Sequence, residues 1–339
     1  MPQMTMPRLD FTLGHTFTHF DLSAFPICVL VVTIAIASWY VRAEWSLAAR
    51  GRSWSGWRTA SFATGLFAID VALCSSVAIY AGTYFQAHII QHLLLMVVAP
   101  PLLALGAPST LVLQTAGRGT KERWLRVLRS RPFAALSHPV TVFFLYFGAM
   151  FAFFLTPLLA DAMQHMALMD LINLIFLFGA TLYWWPMVGI DPILHWKMSH
   201  GFRLMNILIG GGVEAFLGVA ILAEAKSVAP MYTLASTHAG GALLWVSTEF
   251  VSVGAFLPIY LQWMRSEDRK GARADRQSRS ASSEAAARGV GFAQPTSTDW
   301  QASAWQAAFA AKGGAVPLLQ DRRPDGEVDA QVPEVLNGP

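Results

Sequence analysis

Charged side chains are scarce in this sequence. Asp, Glu, Lys and Arg make up 13% of its 339 residues, about half the share usual in a soluble domain. Cysteine is scarcer still, at two. Cys28 and Cys74 both lie in apolar runs, which excludes a disulfide framework or a thiolate zinc site and leaves them as small apolar residues. No H-E-x-x-H, G-x-S-x-G or phosphate-cradling Gly-Lys-Ser/Thr sequence occurs, so hydrolase and nucleotidase chemistry has no support and a non-enzymatic role is expected. The stretch 239–263 contains no lysine, which speaks against a retinal protein with a Schiff base there. The first residues lack a basic segment followed by an A-x-A site, so no cleaved signal peptide is expected. The net charge of +3 is spread over the ends of apolar runs, with no basic patch to attract nucleic acid.

Apolar residues are abundant, at 54%. Several of their runs reach the roughly 20 residues that an α-helix needs to cross a bilayer. The pattern predicts an all-α polytopic membrane protein with seven spans, near 24–41, 61–82, 87–113, 139–160, 168–189, 204–224 and 239–263. Arg42, Arg50, Arg52 and Arg58 follow the first span, and Arg118, Lys121, Arg123, Arg126, Arg129 and Arg131 follow the third. Lys197 and Arg203 follow the fifth, and Arg265, Arg269 and Lys270 the last, whereas the alternate loops hold only Lys226. By the positive-inside rule the N-terminus is expected outside and the C-terminus in the cytoplasm. An amphipathic helix over 121–136 is expected to lie on the cytoplasmic surface, its arginines against lipid phosphates. The chain thus divides into an outer N-terminal segment 1–23, a membrane domain 24–265 and a tail 266–339. The tail's Arg-, Ser-, Ala- and Pro-containing composition predicts disorder, apart from a short helix near 300–309.

Histidine is concentrated towards one side. His15, His19, His88, His92, His165 and His238 fall at the predicted outer face, and only His138, His195 and His200 at the inner one. Within the third span, His88, His92 and Met96 recur every four residues and would share one helix face. Imidazole and thioether are ligands that suit copper, with thioether favouring Cu(I). His165 stands in a second such cluster, Met163-Gln-His-Met-Ala-Leu-Met169. The alternative is that these histidines are hydrogen-bonded packing residues. Pro100 and Pro101 remove the backbone donors that would reach the carbonyls of Met96 and Val97, so a kink is expected there and its freed carbonyls need other partners.

Carboxylates also occur at depth: Asp70, Glu214 and Glu249 near mid-span, and Asp170 in the outer third. A charge at the bilayer centre costs on the order of 2.5–3.5 kcal/mol on insertion scales, so each is expected to face the bundle interior. There they would serve as structural hydrogen-bonders, proton-path groups or partners that orient ligand imidazoles. Gly210, Gly211 and Gly212, with Gly240 and Gly241, allow close helix approach.

Five motifs gather these residues: His88-Ile-Ile-Gln-His92-Leu-Leu-Leu-Met96 running into Ala99-Pro-Pro-Leu-Leu-Ala-Leu-Gly-Ala-Pro108; His138-Pro139; Tyr183-Trp-Trp-Pro-Met-Val-Gly-Ile-Asp-Pro192; Gly240-Gly241 followed by Trp245 and Glu249; and Gln262-Trp-Met-Arg-Ser-Glu-Asp-Arg269. Through them the chain resembles, over about 25–270, the CtaG-type multi-span cytochrome c oxidase assembly family in its actinobacterial-like branch. The resemblance implies a multi-pass protein of the bacterial plasma membrane that assists copper delivery to haem-copper oxidase. Oxidase subunits, other copper chaperones and membrane lipid would be its partners. It departs from the family pattern at Val213-Glu214-Ala215, and at Asp170 and Asn173, where relatives often carry histidine. On this reading His88 and His92 would hold Cu(I), with Met96 and His165 as further ligands. A copper transport or resistance protein, a haem-binding electron carrier, and a metal-free scaffold for oxidase subunits remain alternatives.

Overall fold

The computed structural model describes residues 23–191, 196 and 198–287, and every regular element among them is a helix. In order these are α1 (Ala24–Ala48), α2 (Gly56–Cys74), α3 (Ser76–Ala81) and α4 (Phe85–Leu93), then a π-helical turn (Leu94–Val98), α5 (Ala99–Leu105) and α6 (Pro108–Thr115). They continue with α7 (Arg118–Leu128), α8 (Arg131–Leu136), α9 (Pro139–Leu155), α10 (Leu158–Gln164), α11 (Met166–Val188), α12 (His200–Ala223) and α13 (Leu234–Ala287). Residues up to Asp268 form one compact unit; the described part of a second, which begins at Arg269, is the last stretch of α13. The N-terminal segment with His15 and His19, His195, and the tail beyond Ala287, including the helix expected near 300–309, lie outside the described residues.

Among the described residues five helical stretches are long and apolar enough to cross a membrane, or six if α9 and α10, which meet at 74°, count as one broken span. The expected second span is itself split. Ser75 turns extended between α2 and α3, and its hydroxyl accepts from the Val77 amide to restart the helix. At the α9–α10 bend Thr156 does the same for Leu158, next to Pro157, which has no amide hydrogen to continue the ladder. The amphipathic stretch expected over 121–136 is also two helices, because Pro132 opens α8 and Ser130 caps it.

The third span shows most directly how sequence sets backbone here. It runs from Phe85 to Thr115, and Pro100 and Pro101 sit in the first turn of α5. Pro100 would have been the α-helical donor to the Met96 carbonyl and Pro101 the π-helical donor, so neither ladder can satisfy it. The chain widens into the π turn, in which the Ala99 amide donates to the Leu94 carbonyl. The Met96 carbonyl accepts a hydrogen bond from the Trp184 indole of α11, at 2.8 Å.

The segment after α11 ties down the other end of the same span. Gly189 ends α11 with φ +63°, a left-handed conformation, and the Arg203 guanidinium occupies the space a Cβ would need. Two residues on, Asp191 accepts from both the amide and the hydroxyl of Thr110 in the first turn of α6. Burial pushes the Asp191 carboxyl above the usual carboxylate range, and the Thr110 hydrogen bonds partly offset that rise. Close helix approach is strictest where α12 crosses α13: a Cβ on Gly218 would lie 2.8 Å from the Trp245 nitrogen and 2.9 Å from the Gly241 carbonyl oxygen.

Candidate functional site

α4 begins where another part of the chain caps it. Its first residue, Phe85, donates its amide to Ser236 of α13 at 2.8 Å, and the Ser236 hydroxyl donates to Gln86. Tyr232, just before α13, donates its hydroxyl to the Ala81 carbonyl at the end of α3. These bonds hold the 224–236 segment over the end of the bundle at which α1 begins and α3 ends.

One turn into α4, the two histidines meet. Their Nε2 atoms are 2.9 Å apart, so one ring donates to the other. Both are buried, at 2% and 4% exposure. Phe153, Phe154 and Phe176 pack around His92 with ring centroids 5.1–5.4 Å away, and Phe85 stacks on His88. The His92 Nδ1 is buried with no hydrogen-bond partner. A metal at the usual ~2.0–2.1 Å from both Nε2 atoms would subtend about 90° between them. That is about 20° short of the tetrahedral angle, so the rings would have to part by a few tenths of an ångström to supply two corners of a tetrahedral set, and to rotate much further to form a linear one.

His88 also borders a cavity of about 220 Å³ at that end of the bundle. Its other walls are rich in sulfur: Met163 of α10, Met166 and Met169 of α11, and Met231 of the segment before α13. Gln91, Asp170 and Asn173 add polar atoms. Gln91 is engaged with the Ala72 carbonyl, but the Asn173 Oδ1 is buried without a partner. Met166 and Met231 are exposed at the mouth, whereas Met163 and Met169 are half-buried. Among the described residues no group of three His, Cys, Asp or Glu side chains comes together as a metal site. The soft donors that do converge are thioethers around one imidazole.

The residues singled out from the sequence separate accordingly. His88 and His92 are together, as their spacing requires. Met96 is not on the cavity wall; it is in the π turn, out of four-residue register with His92, and its side chain is fully buried in the core. His165 is exposed between α10 and α11, where its Nδ1 donates to the Asp161 carbonyl and leaves Nε2 as the ring's lone-pair nitrogen. Asp170 lines the cavity. Asp70 is half-buried and accepts from Thr33 of α1 at 2.8 Å, and Glu214 is buried beside Tyr146 and Tyr183, away from the histidines. Glu249 departs from the expectation that every deep carboxylate turns inward: it is exposed on α13. Glycines 218 and 241 fix which face of α13 meets α12, and Glu249 falls outside it. On the inner side, His138 Nδ1 accepts from Val140 as the cap of α9.

Sequence reasoning missed Met231, and named Asn173 only as a departure from the family pattern. Met231 is 62 residues or more from the other methionines of the cavity, and Tyr232 and Ser236 anchor its segment there. Asn173 lies on the helix face it shares with Met166, Met169 and Asp170 at spacings of three, four and seven, a pattern that could have exposed it.

Residues 38–266 match the model of the cytochrome c oxidase caa3 assembly factor family. Uncharacterized proteins of Mycobacterium bovis and Mycobacterium tuberculosis are each 27% identical over 309 residues, covering 81% of this chain and 47% of theirs. One of Mycobacterium leprae is 27% identical over 290 residues, covering 80% and 41%. The chain thus spans about half the length of the curated relatives it matches. No solved structure matches it.

Proposed function

The chain belongs to the cytochrome c oxidase caa3 assembly factor family, and on that premise we propose that it serves oxidase assembly by holding Cu(I) as cargo in the methionine-lined cavity beside His88. One observation carries this reading: four methionines and a histidine line one cavity of about 220 Å³. Thioether sulfur binds Cu(I) in preference to harder divalent cations, and a neutral ligand set binds softly enough to release it. Exposed Met166 and Met231 would receive the ion, and Met163, Met169 and His88 would retain it. His92 acts behind them by fixing the His88 ring through the Nε2 contact, and Asp170 supplies negative charge to an otherwise neutral lining. The role is transfer, with no bond made or broken in a substrate.

We place seven spans in the membrane: the five long helices, α9 with α10, and the broken pair α2 and α3. The basic residues that follow α1, those of α7 and α8, Arg203 in the first turn of α12 and those at the end of the apolar part of α13 would then be cytoplasmic, and the cavity would open to the outer face.

The test is anaerobic Cu(I) loading of detergent-purified protein, followed by metal analysis, for the native chain and for Met163→Leu/Met169→Leu/His88→Ala. Leucine keeps the side-chain volume and removes the sulfur. Near-stoichiometric copper in the native chain and its loss in the variant, with oxidase activity falling in the host, is the expected result. Full copper retention, or normal oxidase in that variant, sinks the assignment. A second reading has one observation in its favour: the two imidazoles hydrogen-bond to one another inside an aromatic cage, as packing residues would. A native chain that takes up no copper while oxidase assembly still requires it would establish that scaffold reading.

A further inference from the structure

Glu249 sits at the middle of the apolar part of α13. At ~1.5 Å per residue it is about 22 Å along the helix from Leu234 and about 24 Å from Arg265, too deep for its side chain to reach either interface. It is nevertheless exposed, on a face that also carries Val246, Phe250 and Val253. The opposite face, with Leu244, Thr248 and Ile259, is buried. Lipid-facing apolar side chains need no explanation, but a carboxyl among them does, because hydrocarbon offers it no hydrogen-bond partner. This chain does not supply one: neighbouring Ser247 and Thr248 both donate to the Leu244 carbonyl, and no hydrogen bond or ion pair among the described residues reaches Glu249.

We propose that the α13 face around Glu249 docks a transmembrane helix of the oxidase that presents a cation or hydrogen-bond donor at the bilayer midplane. A two-fold contact through this face would bring two Glu249 carboxyls together, which could satisfy each other only by sharing protons, whereas a cation or donor on a different helix serves the carboxyl without that condition. Gly254, with open space around it, lies one turn beyond Phe250 and would let a partner backbone approach beside that face. The proposal rests on the assembly-factor reading but not on copper, since Glu249 is not among the residues that line the cavity.

The experiment places a benzophenone amino acid at Phe250, which is 75% exposed, in the full chain expressed with the oxidase. Irradiated membranes are analysed for cross-linked products by mass. The same is done with Glu249→Leu, a change that removes a lipid-facing acid and so does not threaten insertion. A product containing an oxidase membrane subunit, reduced about five- to thirty-fold in the Leu variant while Cu(I) binding is retained, is the expected result. Products with lipid or a second copy only, or an oxidase product of equal yield in Glu249→Leu, would overturn it. Cu(I) binding lost from the native chain while the oxidase cross-link persists would refute the cavity and leave this interface standing.

Discussion

Because Pro100 and Pro101 deny the Met96 carbonyl both of its helical donors, the Trp184 indole is its partner, and that dependence can be measured. Trp184→Phe keeps an aromatic ring in the buried position and deletes the N–H. A buried carbonyl left without a partner costs about 1–3 kcal/mol in soluble proteins, whereas single interhelical hydrogen bonds in a membrane protein average about 0.6 and reach about 1.7 kcal/mol. The Met96 carbonyl lies in the core and has no ladder donor, so a loss of about 1–2 kcal/mol is expected. The smaller ring adds a packing cost of its own, and a double-mutant cycle removes it. Pro100→Ala restores an amide four residues beyond Met96, able to bond the same carbonyl. In that background Trp184→Phe should cost about half as much, a coupling of roughly 0.5–1 kcal/mol. Unfolding free energies in mixed detergent and SDS, measured for the four proteins, give the number. An identical cost of Trp184→Phe in both backgrounds would refute the argument that the prolines create the need for the indole.

Two further outcomes follow from the packing. Gly241→Val should separate α12 from α13 and lower stability by about 1–3 kcal/mol through overpacking, whereas Gly212→Ala, where a Cβ meets open space, should change it little; thermal unfolding in detergent compares them. Asp191 has a raised carboxyl pKa in the folded chain, so its contribution to stability is fullest below the unfolded-state value near 3.9 and falls as pH rises through the folded value. Asp191→Asn keeps an oxygen for Thr110 and removes that dependence, so the variant should gain on the native chain as pH is raised from about 4 to 7. A pH series of unfolding midpoints with parallel curves for the two proteins would show that Asp191 does not titrate in this way.

Much of the helical architecture was legible because it depends on local signals. Long apolar runs announced most of the spans, and the Pro100-Pro101 pair announced that the Met96 carbonyl would need a non-helical partner. What could not be read was the breakage within spans. Ser75 and Thr156 interrupt helices that hydropathy averages over, because one hydroxyl that accepts a nearby amide can restart a helix without any change in the apolar character of the run. The motif from Tyr183 to Pro192 is one of those that carry the family resemblance. In the structure Trp184 holds the π turn, Gly189 provides the left-handed end of α11, and Asp191 clamps α6, so these three residues carry architecture.

The site was legible only where spacing was enough. His88 and His92 share a helix face upstream of the π turn, where a four-residue repeat is a reliable guide to direction. The same repeat fails for Met96 because the π turn begins at Leu94, and the prolines that cause it were visible while their effect on side-chain register was not. The thioethers that replace Met96 on the cavity wall come from the α10–α11 junction and from the segment before α13. Their convergence depends on the sharp α9–α10 bend and on Tyr232 and Ser236 reaching across to α3 and α4. Each of those is a tertiary bond between residues some 150 positions apart. A cavity lined by donors from four separate segments can also change with the contacts that hold those segments. Of these contacts, the one made by Ser236 sits at the first turn of the helix that carries His88.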